Sequence, residues 1–62
     1  MCEFTVFFGK EIVFHDAIYV KADANKVLLR DVLGKSTTVE NCRIAEVDVP
    51  SERLVLTKLS SA

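Results

Sequence analysis

The chain reads as an all-β domain, a meander of six to seven short strands curling into a small barrel or sandwich, and three observations predict it. The apolar residues never sustain the i, i+3, i+4, i+7 spacing of a surface helix. β-Branched and aromatic residues crowd instead into short runs. Turn-forming residues separate those runs at regular spacing, with no linker, internal repeat or low-complexity segment between them.

The first run, Cys2 to Phe8, places Phe4, Val6 and Phe8 on one face and Glu3, Thr5 and Phe7 on the other. Gly9-Lys10 supplies a turn, and a hairpin partner follows at Glu11 to Phe14. From Asp16 to Ala22 a further strand sets Ile18 and Val20 against Tyr19 and Lys21, until Asp23-Ala24-Asn25 interrupts with turn-forming side chains. Lys26 to Val32 resumes as an apolar strand. Leu33-Gly34-Lys35 reverses it, with Gly34 free to take positive φ. Ser36 to Val39 is Thr-rich and strand-like, and Glu40-Asn41 forms the next turn. Cys42 to Val49 and Arg53 to Leu59 make a last pair, joined by Pro50-Ser51-Glu52, where proline suits the first corner of a turn. Strict alternation would put Ile44 on the face opposite Val47, so a bulge or burial on both faces is expected there. Ser60-Ser61-Ala62 is read as a frayed tail.

At 62 residues the chain, 1–62, is one domain with a modest core. Half of its residues are hydrophobic, more than a lone domain of this size hides easily, which points to a homodimer. Eight basic and nine acidic residues nearly cancel, so the field that would draw in a nucleic-acid backbone or an anionic membrane is missing. No run approaches the roughly 18 apolar residues of a membrane span, and the start lacks a signal-peptide pattern. The expected location is the cytoplasm, where the two cysteines, Cys2 and Cys42, stay as thiols.

The chemistry concentrates at Cys2. Initiator methionine is commonly removed before small residues, and the chain would then begin with a cysteine. Its α-amine, with a reference pKa of about 7.7 to 8.0, and its thiol, about 8.5, both lose protons readily to a metal ion near neutral pH. Together they form a five-membered N,S chelate. Two chelates related by a two-fold axis give four donors, compatible with square-planar Ni(II) or Cu(II) and with tetrahedral Zn(II). The plain alternative is a small apolar residue at the start of a strand.

Met1-Cys2-Glu3, opening directly into a strand, resembles the CooT family of small nickel-binding proteins. Lys26 to Gly34 (KVLLRDVLG) is similar to that family's strand, apolar pair and glycine. Ile44 to Val49 (IAEVDV) followed by Arg53 to Leu56 (RLVL) looks like its closing hairpin. The resemblance covers nearly the full length, and only Cys2 is distinctive. It implies that Cys2 is the nickel ligand, given by both chains of a homodimer holding one Ni(II), and that the protein is a metallochaperone-like accessory factor rather than an enzyme. It also implies carbon monoxide dehydrogenase, or a related nickel enzyme, as recipient. No His-rich tail of the kind that stores nickel is present.

Other residues read more plainly. His15, beside Asp16, is expected to be an exposed polar residue, although an imidazole is also able to join a metal site. Cys42 has no C-x-x-C partner and reads as a buried structural thiol. Cys42, His15 and Asp16 supply the types of a nucleophilic triad without any motif to support it. Lys21, Lys26, Arg30 and Lys35, with Tyr19 and the phenylalanines, carry the rival reading of a small RNA-binding barrel. Glu40, Glu46, Asp48 and Glu52 offset those charges. A purely structural or partner-binding dimer is the third reading.

Overall fold

The computed structural model describes residues 3–59; Cys2 lies outside the described residues, as do Met1 and 60–62. Six strands form one sheet: β1 (Phe4–Phe8), β2 (Glu11–Ala22), β3 (Lys26–Asp31), β4 (Ser36–Glu40), β5 (Cys42–Asp48) and β6 (Arg53–Lys58). Their order is β4-β3-β2-β1-β6-β5, with β1 and β6 parallel and every other neighbouring pair antiparallel. The all-β class and six strands agree with the sequence. The topology is less simple than a meander: β1 to β4 form one, the β5–β6 hairpin is attached through the parallel pairing, and the barrel is not closed by a β4–β5 ladder.

The alternation in β1 is as expected. Val6 is fully buried, and Phe4 and Phe8 pack around it. Gly9, at φ +63, opens the two-residue turn before Glu11, a positive-φ first corner that glycine takes without steric penalty. The separate strands expected at Glu11 to Phe14 and Asp16 to Ala22 are instead one continuous strand, β2. The reason is backbone conformation. Asp16 adopts φ +58, and His15 and Asp16 together lie opposite the single residue Thr5, so the polar pair is a bulge rather than a loop. Two more register shifts in β2, at Val13 against β1 and at Ile18 against β3, bend it further. Repeated bulging increases twist and curvature, which lets one long strand serve both halves of a curled sheet.

The curl is completed by Asn41. It is the only residue between β4 and β5, the two edges of the sheet. A hairpin needs a loop of at least two residues in the common turn types, so these strands part at a corner rather than pair. The corner is stitched on both sides. The amides of Asn41 and Cys42 donate to the Asn25 carbonyl at 2.7 and 3.3 Å, and the amide of Leu59 donates to the Asn41 carbonyl at 3.1 Å. β5 thereby packs across the opening against β3. Val6, Ala17, Val27, Leu29, Cys42, Leu54 and Leu56 form the enclosed core. The expected irregularity in β5 is also present: a register shift between Ile44 and Glu46 leaves Ala45 extra, bringing Ile44 and Val47 to the same cavity.

Candidate functional site

The start of β1 is held by the β5–β6 turn. Val49, Pro50, Ser51 and Glu52 form that turn, closed by the Glu52 amide donating to the Val49 carbonyl at 3.0 Å. The Ser51 amide donates to Asp48 Oδ1 at 3.4 Å. Glu52 ends the turn at φ +54, a left-handed conformation that glycine and asparagine adopt far more easily. From there it holds β1 twice. Its carbonyl accepts the Thr5 amide at 2.9 Å, and its carboxylate Oε2 accepts the Glu3 amide at 3.4 Å. Glu3 is the residue that follows Cys2.

Beside this turn the curled sheet is open. A cavity of about 180 Å³ is lined by Phe4, Val20, Ile44, Val47 and Leu54. These five side chains come from β1, β2, β5 and β6, and all are apolar. Val47 is 54 % exposed and Val49, just beyond the end of β5, is 56 % exposed. The space therefore gives directly onto an apolar rim along an edge strand, and Phe4 connects that rim to the start of β1.

The other candidate residues lie elsewhere. Cys42 is fully buried, and its thiol donates to the Val39 carbonyl at 3.3 Å. Burial pushes its pKa up, a backbone hydrogen bond at Val27 opposes that shift and the charge of Glu40 adds to it. A thiol in such surroundings is inert, as expected of a structural residue. Cys42 also lies opposite Lys58, at the far end of the β5–β6 hairpin from Glu52. Six strand residues separate the two ends, about 20 Å at 3.3 Å per residue. His15 is exposed on β2 while Cys42 is sealed in the core, so the triad types do not share a surface. Among the described residues no group of three His, Cys, Asp or Glu is arranged to hold a metal.

The basic residues of the RNA reading do share an outer face in part. Tyr19 lies opposite Arg30, whose guanidinium sits 4.6 Å from the ring centroid, and Lys21 lies beyond them on the same face. Lys26 is paired with Glu40 across β3 and β4. Phe4, Phe8 and Phe14 pack against the core, so the stacking platform that single-stranded RNA requires is not assembled from them. Sequence reasoning missed Glu52 altogether, reading it only as part of a turn and as an offsetting charge. No local signal would have found it, because its partners lie 47 and 49 positions away.

A small curled sheet, open along one apolar side and lacking any helix among the described residues, defines an open-barrel β-domain. The sequence pattern of the family described as CO dehydrogenase accessory protein CooT matches residues 1–57, and the chain belongs to that family. It is thus an accessory protein, not a catalyst. A crystal structure assigned as CooT from Carboxydothermus hydrogenoformans superposes with a TM-score of 0.82 at 16 % identity, covering 95 % of this chain and all of that one. At that identity the likeness speaks for the fold. No curated protein sequence matches the chain. No helix is long and apolar enough to cross a membrane among the described residues.

Proposed function

We infer that the chain is a cytoplasmic accessory factor, a single domain acting as a homodimer, that binds Ni(II) through Cys2 for delivery to carbon monoxide dehydrogenase or a related nickel enzyme. One observation carries the reading: β1, into which Cys2 leads, begins at the rim of the open apolar cavity, where Phe4 lines the wall. A second copy closing over Phe4, Val47 and Val49 would bury apolar surface and bring two cysteine termini together. Each terminus supplies one amine and one thiolate, and two supply the four donors that suit square-planar Ni(II). Cys42, about 20 Å away along the hairpin, is outside the reach of such a site. Membership of a CO dehydrogenase accessory family supplies the nickel enzyme.

Titration of the protein with nickel, followed by absorption and intact mass, tests this. Saturation is expected near one nickel per two chains, with thiolate-to-nickel bands and a mass lacking Met1. Cys2→Ser should abolish high-affinity binding and leave the fold intact, whereas Cys42→Ser should bind as the parent does. Val47→Asp should shift metal-free protein from dimer to monomer in sedimentation, because it places a charge in the apolar seam. Equal nickel loss in both cysteine variants, or a metal-free parent that sediments as a monomer, would overturn the shared site.

A further inference from the structure

We propose that Glu52 is a positioning residue for the nickel site, its carboxylate fixing the peptide that follows Cys2. The inference rests on the Cys2 reading above. In a strand, alternate amides point to the same side. The Glu3 and Thr5 amides are such a pair, and both meet Glu52, one at its side chain and one at its carbonyl. The parallel ladder between β1 and β6 begins at Thr5 and Arg53, where β6 itself starts. Below that point β6 has no backbone to offer, and the carboxylate supplies one more rung. It thereby carries the hydrogen bonding one step beyond β1, to the Glu3 amide.

The conformation of Glu52 is the second observation. A left-handed glutamate is strained, and glycine or asparagine at this position would relieve that strain. A side chain long enough to reach Glu3 explains why a glutamate stands at a position that suits shorter residues. A terminus held before metal arrives loses less conformational freedom on chelation, which raises affinity without adding a ligand. The Glu3 bond is long at 3.4 Å, so the effect is modest.

The test compares Glu52→Gly, Glu52→Asn and Glu52→Gln by nickel titration and thermal unfolding of the metal-free protein. Gly and Asn both tolerate the left-handed conformation and neither reaches Glu3. Both should raise the melting temperature and weaken nickel affinity by about threefold to tenfold, the range of one hydrogen bond. Opposite signs for stability and affinity separate positioning from a merely structural role, in which the two would move together. Glu52→Gln keeps an acceptor oxygen and should bind within about twofold of the parent. Parent-like affinity in Glu52→Gly and Glu52→Asn would overturn the proposal, as would a Gln variant as weak as Gly. Cys2→Ser, run alongside, should lose binding. If it binds as the parent does, the Cys2 reading fails and Glu52 has no site to position.

Discussion

The two ends of the β5–β6 hairpin use the same backbone device for opposite purposes. At one end Asn41, at φ +56, turns the chain from one sheet edge to the other, and hydrogen bonds from three amides seal the corner over the buried Cys42. At the other end Glu52, at φ +54, closes a turn beside the open apolar cavity and holds the strand that follows Cys2. Asparagine takes the left-handed region at small cost, and its corner is closed and structural. Glutamate takes it at greater cost, and its turn is open and holds the Glu3 and Thr5 amides. Where a strained conformation is filled by the less suitable residue, the side chain is the place to look for a role.

The strongest way to break this comparison is through the core that both ends share. Leu56 is fully buried in the middle of the hairpin, so Leu56→Ala should cost about 2–5 kcal/mol in urea unfolding. A loss comparable to that of a surface substitution would mean that the curled sheet does not enclose this side chain.

The sealed end makes a narrower prediction. Burial raises the Cys42 pKa above its ordinary value of 9.0, so the native state keeps a proton that the unfolded chain gives up. Stability from this group is whole below about pH 9 and declines as pH rises towards the folded pKa. Cys42→Ala should be less stable at pH 7 by about 1–2 kcal/mol, through lost packing, yet lose less on going to alkaline pH than the parent. Parallel stability curves for the two proteins would show that the thiol is not desolvated.

Exchanging the two left-handed residues sharpens the contrast directly. Asn41→Glu should destabilise by about 1 kcal/mol, and Glu52→Asn should stabilise by a similar amount, measured on metal-free protein. Effects of the same sign at both positions would remove the distinction between a closed corner and a strained grip. The smallest effect is expected on the outer face. Arg53 and Glu46 form an exposed ion pair at 3.4 Å, and Arg53→Ala should change stability by no more than about 0.5 kcal/mol.

Much of the local structure was legible in the residues because the physical causes are local. Alternation identified the inner face of β1 as Phe4, Val6 and Phe8. Gly9-Lys10 and Gly34 marked turns, and the phase conflict between Ile44 and Val47 announced the bulge at Ala45. Asp31 shows the limit of that reading. It ends β3 one residue before the expected boundary, since its Oδ1 accepts the amides of Leu33 and Lys35 and starts the turn early. Asp16 misled in the other direction: a turn-forming side chain in an otherwise extended run has the same local signature whether it ends a strand or bulges one. Cys42 was correctly read as a buried thiol from its company of strand residues.

By itself the sequence determined the β class, most of the turns and the inner face of β1, and it singled out Cys2 as the candidate ligand on which the proposed function rests. Ile18, expected to share a face with Val20, is instead the exposed extra residue of a bulge. Only the tertiary structure decided that β1 pairs in parallel with β6, that one residue joins the two sheet edges, and that Glu52 meets Glu3 and Thr5. The reason is the range of the forces involved. Turn conformation and face alternation are set by a residue and its immediate neighbours, whereas β1 and β6 lie 48 positions apart in register and meet where Val6, Leu54 and Leu56 are buried in one common core.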